Sequence, residues 1–308
     1  MRYVITGGAG FLGKHLQARL HNAGVKPDDI FVPIIEDFDL TQKPDCERLY
    51  KEARPDVVIH LAAQVGGIGA NQLNPGRYFY ANMAMGLHLI EEARIHNLKK
   101  FVQIGTICAY PKFTSVPFKE DDLWNGYPEE TNAPYGIAKK ALMVMCQAYR
   151  QQYGLNAIYL LPVNLYGPGD NFDLESSHVI PALIRKCIDA KRNKADHLTA
   201  WGTGSVSREF LYVEDAADGI YLATQNYNKP DPINLGAGSE ITIKNLTELI
   251  ARLCNFQGKI IWDPTKPDGQ PRRCLDTTRA KTEFNFTAKT PFETGLKKTI
   301  AWYEANSG

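Results

Sequence analysis

The sequence predicts an α/β protein with a doubly wound parallel sheet and a smaller C-terminal α/β lobe. Short apolar runs alternate with helical patterns through the first half, and this repetition is typical of such sheets. A glycine-rich turn directly follows the first apolar run. From about Gly167 onward, Gly, Pro and Asp cluster and the alternation is lost. We therefore expect a first lobe at 1–166, to which later segments return, and a second lobe at 167–308.

The predicted elements of the first lobe follow one another in regular order. Strands are predicted at 3–6, 30–35, 57–62, 101–106 and 157–162, and helices at 12–23, 75–97 and 134–153. Several of the strand runs are apolar without alternation, as in strands that are buried on both faces of a parallel sheet.

Composition and charge exclude several classes of function. The 308 residues contain 35 Lys and Arg against 34 Asp and Glu, which gives a net charge of +1. A near-neutral chain lacks the basic surface that binds nucleic-acid backbones, so we expect no nucleic-acid partner. The sequence shows no targeting segment and no run of about 18 apolar residues, so we expect no membrane partner and a cytoplasmic location.

The cysteines form neither a metal-binding nor a redox motif. No two of them lie at Cys-x-x-Cys spacing, so no metal site is predicted. Scattered thiols in a chain of this length are typical of a reducing compartment. The six residues are Cys46, Cys108, Cys146, Cys187, Cys254 and Cys274.

The glycine-rich turn predicts a dinucleotide-binding (Rossmann) site. Gly7, Gly10 and Gly13 follow the first strand, and Phe11 and Leu12 open the next helix. Glycines at this spacing permit a tight turn, a close approach of the backbone to a pyrophosphate, and close packing of helix on strand. The start of the helix then offers free N–H groups to the phosphates. The position directly after a first strand makes the motif specific.

The loop after the second predicted strand bears on the choice of cofactor. An acidic residue about 20 positions after the glycines binds a ribose 2′-hydroxyl, whereas an Arg suits the 2′-phosphate of NADP. Residues 27–42 include several acids and no Lys or Arg, although the expected position itself is Pro33. The local charge favours NAD(H), and we expect Asp39 and Leu40 beside the adenine. The alternative is that these acids form a solvated loop.

Thr106, Tyr135 and Lys139 are predicted to form a proton-transfer site. Tyr135 and Lys139 are four residues apart, so on a helix they share one face. A neighbouring ammonium group lowers the pKa of a phenol, and such a phenol exchanges a proton with a carbonyl oxygen during hydride transfer. Thr106 ends the fourth predicted strand, where its hydroxyl reaches the same oxygen.

Cys108 and His178 are further candidates for proton transfer. Residues two apart in an extended strand point to one side, so Cys108 is expected to face the same substrate as Thr106. A thiolate is a usable base, and an imidazole gives or takes a proton near neutral pH. Each residue alone is more often structural than catalytic, so both predictions depend on the resemblance described next.

The chain resembles the extended short-chain dehydrogenases/reductases that act on nucleotide sugars. Among them it is most similar to the GDP-L-fucose synthase family of GDP-4-keto-6-deoxymannose 3,5-epimerase/4-reductases. The resemblance spans nearly the whole chain. It is carried by His-Leu-Ala-Ala at 60–63, Cys-Ala-Tyr-Pro-Lys at 108–112, Asn-Leu-Tyr-Gly-Pro at 164–168, Ser-His-Val-Ile-Pro-Ala-Leu at 177–183, Trp-Gly-Thr-Gly at 201–204 and Lys-Pro-Asp-Gly at 266–269.

The resemblance implies a role for each matching residue. Thr106, Tyr135 and Lys139 are the expected reductase set, and Cys108 and His178 the expected base and acid of epimerisation. Further dinucleotide contacts are implied at Leu61, Ala62, Ala63, Pro162, Asn164, Leu165 and His178, besides Tyr135 and Lys139. Nucleotide-sugar contacts are implied at Asn164, Lys186, Trp201, Arg208, Asp268 and Arg273.

Two departures from the family keep alternatives open. Thr106 and Ile107 stand where the family usually has two serines, and the basic residue expected after the second strand for an NADP phosphate is missing. The leading prediction is an NAD(P)-dependent, GDP-L-fucose synthase-like epimerase/reductase. The alternatives are an epimerase that retains NAD without net redox and a non-catalytic dinucleotide-sensing module. The resemblance implies NADP(H), a GDP-linked sugar, and a homodimer formed through the helices near 75–97 and 134–153.

Overall fold

The computed structural model describes residues 1–307, so that only Gly308 of the second predicted lobe lies outside it. The strands are β1 (Tyr3–Thr6), β2 (Ile30–Phe31), β3 (Val57–His60), β4 (Lys100–Ile104), β5 (Ala157–Pro162), β6 (Asn164–Tyr166), β7 (His197–Trp201), β8 (Ser207–Tyr212), β9 (Ile233–Leu235), β10 (Glu240–Thr242) and β11 (Lys259–Asp263). The helices are α1 (Phe11–Asn22), α2 (Lys43–Ala53), α3 (Ile68–Leu73), α4 (Pro75–Ile95), α5 (Ala133–Tyr153), α6 (Val179–Arg192), α7 (Val213–Asn226), α8 (Ile243–Leu253), α9 (Thr278–Phe284) and α10 (Phe292–Asn306).

The main sheet is parallel and has the order β2-β1-β3-β4-β5-β9. The chain reverses its direction of progress between β1 and β3, which is the switch point where doubly wound sheets bind ligands at the carboxyl ends of their strands. Strands β1, β3, β4 and β5 are buried along their whole length, which is the reason for their continuous apolar sequences. The predicted fold class is confirmed.

The predicted elements of the first half agree with the structure except at the ends of three strands, and helices α2 and α3 were not predicted. Strand β3 ends at His60, two residues before the predicted end. Strand β2 ends at Phe31, so the strand predicted at 30–35 is wrong beyond that residue. Pro33 cannot donate a ladder hydrogen bond, and the acidic residues that follow favour solvent. Strand β4 ends at Ile104, two residues before the predicted end, and a 3₁₀ turn over Ile107–Ala109 follows.

Later parts of the chain return to the first core. Strand β9 pairs with β5 and completes the sheet, although it was not itself predicted. Helix α7 packs against α1, and Phe284 and Phe286 are buried in the same core as β1 and β5. A second core lies among α6, α8, α10 and the strands of two small sheets, β10-β8-β6 and β11-β7.

A buried carboxylate ties these parts together. Glu209 on β8 is fully buried, and its Oε1 accepts hydrogen bonds from the backbone N–H groups of Ala237 (2.5 Å) and Gly238 (2.6 Å). Its Oε2 accepts one from the N–H of Leu275 (2.6 Å). Burial raises the pKa of Glu209, against the lowering effect of these three bonds. The side chain thereby fixes β8 to the segment after β9 and to the segment that carries Arg273.

Three further findings concern the described part of the chain. None of its helices is long and apolar enough to cross a membrane. No group of three His, Cys, Asp or Glu side chains among residues 1–307 is arranged to hold a metal ion. The six cysteines are free thiols, and five of them are buried while Cys108 is half-buried.

We expect the Glu209→Gln protein to unfold at a lower urea concentration than the unaltered protein. An amide has one acceptor and one NH₂ group, and the NH₂ would face a backbone N–H that now has an oxygen partner. The expected loss is about 2–3 kcal/mol of unfolding free energy. The exposed Glu248→Gln variant is the matched control and is expected to change it by less than about 0.5 kcal/mol. Equal effects in the two variants would show that the carboxylate does not hold these segments.

Candidate active site

The glycine turn between β1 and α1 has the geometry that the motif predicts. Gly7 has a φ of +70°, which favours glycine, and the N–H of Gly10 donates to the carbonyl of Gly7 (3.0 Å). A Cβ on Gly13 would lie 2.4 Å from the carbonyl oxygen of Gly7 and from the Cα of Gly8. The first turn of α1 therefore packs directly on the end of β1, and only glycine fits there.

The start of α1 fits the pyrophosphate of a dinucleotide. Gly10 is its N-cap residue, and no side chain among the described residues caps it. No acidic residue lies in its first turn, which contains Phe11 and Leu12. Free N–H groups and the positive end of the helix dipole are thus available to an anion. The residues at the start of α1 therefore fit the pyrophosphate of the predicted dinucleotide.

In the loop after β2, Leu40 and Asp39 differ in burial and in their contacts. Leu40 is buried, while the Asp39 carboxylate accepts hydrogen bonds from the N–H (3.0 Å) and the hydroxyl (2.7 Å) of Thr41. The sequence window contained no cation, but Arg48 reaches the loop from α2. Its guanidinium lies 4.1 Å from the Phe38 ring centroid and donates to the Asp37 carbonyl. Arg48 also pairs with the carboxylates of Asp45 (3.1 Å) and Glu52 (3.6 Å), so its charge is balanced on its own helix and the loop keeps its acidic character.

The other predicted dinucleotide residues lie at the same edge of the sheet. Leu61, Ala62 and Ala63 follow the carboxyl end of β3, and the N–H of Leu61 donates to the Thr6 carbonyl (3.1 Å). Pro162 ends β5, and Asn164 and Leu165 lie on β6. The carboxyl ends of these parallel strands meet beside the glycine turn, because a Cβ on Gly7 would lie 2.8 Å from the backbone nitrogen of Ala62.

Thr106 and Tyr135, from the end of β4 and from α5, lie side by side. The Thr106 side chain lies close enough to the Tyr135 phenol to lower its pKa, and Lys139 follows one turn later on α5. The helix approaches the 107–109 turn closely, because a Cβ on Gly136 would lie 2.3 Å from the carbonyl oxygen of Cys108. This close contact brings the phenol beside the cysteine.

The electrostatics of this set differ from the sequence-based expectation. Burial raises the pKa of Tyr135, with a further rise from Cys108, so the predicted lowering by Lys139 is not observed. Burial also lowers the pKa of Lys139 to about 8. Desolvation disfavours the charged form of each group. His60, which is buried near Lys139, has a lowered pKa and is neutral.

Cys108 faces the site for a reason other than the one predicted. It lies in a 3₁₀ turn and not in an extended strand, so the alternation argument was wrong. Thr106 caps this turn, with its hydroxyl accepting a hydrogen bond from the Cys108 N–H (3.2 Å). The turn still brings Cys108 beside Tyr135, and its Sγ lies 3.5 Å from Nη1 of Arg273.

His178 precedes α6 and lies in the same cleft. Its side chain is accessible to solvent, which a residue that exchanges protons requires. The surrounding atoms of the cleft and the nearby Arg273 guanidinium both lower its pKa. Cys108 and His178 thus lie near the same arginine from different lobes.

The predicted sugar-nucleotide residues form the wall contributed by the second lobe. Arg208 is buried and donates to the carbonyls of Ser207 (2.7 Å) and Asp268 (2.8 Å), and burial lowers its pKa to about 9. It is not in a surface ion pair. The Asp268 carboxylate accepts hydrogen bonds from the N–H and the hydroxyl of Thr203 (2.8 Å each).

Trp201 is a surface platform and not a core residue. It is 50% exposed, and the amines of Lys186 and Lys266 lie 5.3 and 5.1 Å from its ring centroid. Lys186 also donates to the carbonyl of Thr199 (2.9 Å). Its exposed ring face is free to stack on another ring and does not fill the core.

Sequence reasoning missed Gln270, which is buried between two parts of the site. Its Nε2 donates to the carbonyls of Pro111 (3.1 Å) and Lys112 (3.0 Å), and its Oε1 accepts from Nε of Arg273 (2.9 Å). The only sequence signal was its place in the Gly- and Pro-rich segment at 266–271. That signal predicts a loop and gives no partner for the side chain.

The comparisons with known proteins agree with this geometry. A family model described as "NAD dependent epimerase/dehydratase family" matches residues 3–236, which include the glycine turn, Tyr135 and Lys139. The chain belongs to the NAD dependent epimerase/dehydratase family. The identification as an extended short-chain dehydrogenase/reductase that acts on nucleotide sugars is thereby confirmed, and the cofactor of this family is a nicotinamide dinucleotide.

Relatives of this epimerase/dehydratase match it over almost the full length. It is 40% identical over 306 residues to "Probable GDP-L-fucose synthase 1" of Oryza sativa subsp. japonica, covering 99% of this chain and 92% of that one. A GDP-6-OMe-4-keto-L-xylo-heptose reductase from C. jejuni has a TM-score of 0.92 and 26% identity, with coverage of 99% and 98%. A GDP-L-fucose synthetase from Naegleria fowleri bound to NADP has a TM-score of 0.89 and 27% identity, with coverage of 99% and 94%.

We expect Gly13→Ala to weaken dinucleotide binding. The new methyl group must displace the turn from the first turn of α1, at a cost of about 1–3 kcal/mol, or roughly ten- to hundredfold in the dissociation constant. Gly76→Ala, in the first turn of α4 with nothing near the added methyl, is the matched control. Both constants are read from fluorescence titrations with NADPH and NADH. Unchanged dinucleotide affinity in Gly13→Ala would show that the glycine turn does not bind the dinucleotide.

Proposed function

We propose that this protein is a GDP-sugar 3,5-epimerase/4-reductase that acts on a 4-keto-6-deoxy sugar, in the manner of GDP-L-fucose synthases. The observation that carries the proposal is the convergence of two sets of groups in one cleft. Thr106 and Tyr135 form a reductase pair, and Cys108 and His178 provide a second pair that reduction alone does not need. Arg273 lies close to both Cys108 and His178.

The second pair suits inversion at the carbons beside a ketone. Hydrogens on C3 and C5 are acidic because the 4-keto group accepts the electron pair of the broken C–H bond. Cys108 as thiolate takes the proton, and His178 as imidazolium delivers one to the opposite face. The thiol and the imidazole then exchange protons with solvent, for which the exposed position of His178 provides a path.

The first pair suits reduction of the same ketone. A reduced nicotinamide bound at the glycine turn would supply the hydride for C4. Tyr135 gives its phenolic proton to the ketone oxygen, with the Thr106 side chain beside the phenol. The raised pKa of Tyr135 keeps the phenol protonated, which is the form that the reductive direction requires. Lys139 is placed to stabilise the phenolate that remains.

The second lobe supplies the groups that hold a nucleoside diphosphate. Arg208 has donors beyond its two carbonyl bonds, and a guanidinium binds phosphate oxygens strongly. Trp201 and Lys186 offer a ring face and a cation at the mouth of the cleft. Asn164 donates to the Glu209 carbonyl (3.0 Å) at the boundary between the lobes. Asp268 orients Arg208 through its own carbonyl, so we assign its side chain a supporting role.

The proposed reductant is NADPH, used as a dissociable cofactor. Support comes from the Naegleria fowleri relative, which was solved bound to NADP. NADH is the alternative favoured by the charge of the loop after β2, and the titrations with both dinucleotides distinguish them. An epimerase that retains NAD is a second candidate, and copurification of NAD through gel filtration is the result that would favour it.

Paired variants test the function. With GDP-4-keto-6-deoxymannose in D₂O, Tyr135→Phe is expected to lower the rate of reduction by about 10²–10⁴-fold, because the general acid is lost. The same variant should still incorporate solvent deuterium at C3 and C5. Reduction is followed by NADPH absorbance and deuterium by mass spectrometry. Full reductase activity in Tyr135→Phe would show that Tyr135 is not the general acid of the reduction.

Cys108→Ser is the complementary half of the experiment. A serine hydroxyl is a far weaker base than a thiolate, so deuterium incorporation is expected to fall by at least about 100-fold. Reduction of the 4-keto group should remain measurable. Incorporation at the normal rate would show that Cys108 is not the base. Absence of both activities in the unaltered protein would overturn the proposed function and leave a dinucleotide-binding module as the remaining candidate.

We further propose that the protein is a homodimer that pairs α4 and α5 across a two-fold axis. The two helices pack side by side, with Leu142 against Gly86, and Tyr80, Leu87 and Val144 are exposed on their outer surface. Exposed apolar side chains grouped on neighbouring helices are typical of an interface.

Light scattering of the unaltered protein should give twice the chain mass, and light scattering of Leu87→Glu should give the monomer mass. Leu174→Glu, outside these helices, is the control. A monomeric unaltered protein would refute the pairing.

A further inference from the structure

The protonation states of Cys108 and His178 set a requirement that the two residues alone do not meet. As base and acid of one step they must be thiolate and imidazolium together, and a free thiol is mainly protonated near neutral pH. A fixed cation beside the sulfur favours the thiolate. This requirement rests on the proposed function.

A guanidinium occupies that position. Nη1 of Arg273 lies 3.5 Å from Sγ of Cys108, and Arg273 is only 7% exposed, so little water screens the pair. The charged and titratable groups that face Cys108 come from three elements. They are Tyr135 on α5, Arg208 on β8, and Arg273 in the segment after residue 266.

Arg208 is the weaker candidate for this role. Its guanidinium donates to two backbone carbonyls, and the carboxylates of Asp268 and Glu129 also lie near it. Arg273 lacks such carboxylate neighbours among the hydrogen bonds of the described residues. Its Nε donates to an amide oxygen, which is neutral and leaves the positive charge uncompensated.

Gln270 fixes the distance between the cation and the sulfur. It is 2% exposed, and it accepts from Arg273 while its Nε2 donates to the carbonyls of Pro111 and Lys112. Those carbonyls directly follow the turn that contains Cys108. One buried amide therefore holds both the arginine and the loop of the cysteine, although they come from distant parts of the sequence.

We propose that Arg273, oriented by Gln270, is a positioning residue that holds Cys108 as the thiolate and thereby makes it the base of the pair. The same guanidinium lies near His178, where it makes the imidazolium a stronger acid. A cation lowers the proton affinity of both neighbours, and the role proposed for Arg273 is its effect on Cys108. This role differs from the phosphate contact that the resemblance implied.

The pH dependence of Cys108 alkylation tests this role without any sugar substrate. The rate of carbamidomethylation by iodoacetamide is measured by peptide mass spectrometry between about pH 5 and 10, on the full chain. Alkylation reports the thiolate fraction, and Cys108→Ser supplies the background from the five buried cysteines. We expect Arg273→Gln to move the midpoint to higher pH. The rate at about pH 7 should fall by about tenfold, because the loss of one adjacent opposite charge changes the ionised fraction of a group by at least that factor.

The other variants distinguish an effect of the Arg273 charge from a change in the access of iodoacetamide to the Cys108 sulfur. Arg273→Lys should restore most of the rate at neutral pH, and Gln270→Met should move the midpoint in the same direction as Arg273→Gln but by less. The neighbouring Arg272→Gln is the matched control and should leave the midpoint unchanged, because Arg272 is exposed and paired with Glu240. All variants should reach the same limiting rate at high pH.

Two results would overturn the proposal. One is an unchanged midpoint in both Arg273→Gln and Gln270→Met. The other is a rate that falls by the same factor at every pH, which would indicate altered access to the sulfur. If Arg273→Gln does not fold, Arg273→Lys and Gln270→Met decide the question. A shifted midpoint in a protein that shows no deuterium incorporation would refute the proposed function and leave the inference standing.

Discussion

The buried carboxylate of Glu209 is the constraint on which the site depends. Three backbone N–H groups from two separate segments converge on it, and its neighbour on β8 is Arg208. A charge in this position is costly unless every lone pair is used, so its partners cannot move independently. The segment that carries Arg273 is held to the sheet through Leu275. The second lobe consequently meets the dinucleotide edge in one fixed arrangement, and the cations of one lobe face the thiol of the other.

Much of the architecture follows from local patterns in the sequence. The glycine turn, the buried strands and the two long helices are short-range signals, since each depends on periodicity or on backbone space within a few residues. The run at 30–35 fails as a strand because Pro33 interrupts it. Strand β9 escapes prediction because three apolar residues are too few to show a period, and only its pairing with β5 makes it a strand.

In the site, too, features set by neighbouring residues are predictable from the sequence, and contacts between residues far apart in the chain are not. The spacing of Tyr135 and Lys139 predicts that they share a face, and they do. It does not predict the pKa of the phenol, because desolvation depends on the packing of α5 against the Cys108 turn. Gln270 and Arg273 lie more than 150 residues from the cysteine loop that they contact. A single sequence contains no information on such pairs, so their contribution is visible only in three dimensions.

The return of the chain to the main sheet at β9 limits how the molecule can be rebuilt. The polypeptide leaves the sheet after β5, builds part of the second lobe, and comes back to add α7 and then the edge strand β9. It then departs again to form α8 and α10. No single cut separates a nucleotide-sugar module from a dinucleotide module, and a hybrid of two relatives joined between β5 and β9 would pair the β5 of one parent with the β9 of the other. New specificities on this scaffold are therefore reached by altering loops in place, not by shuffling intact units.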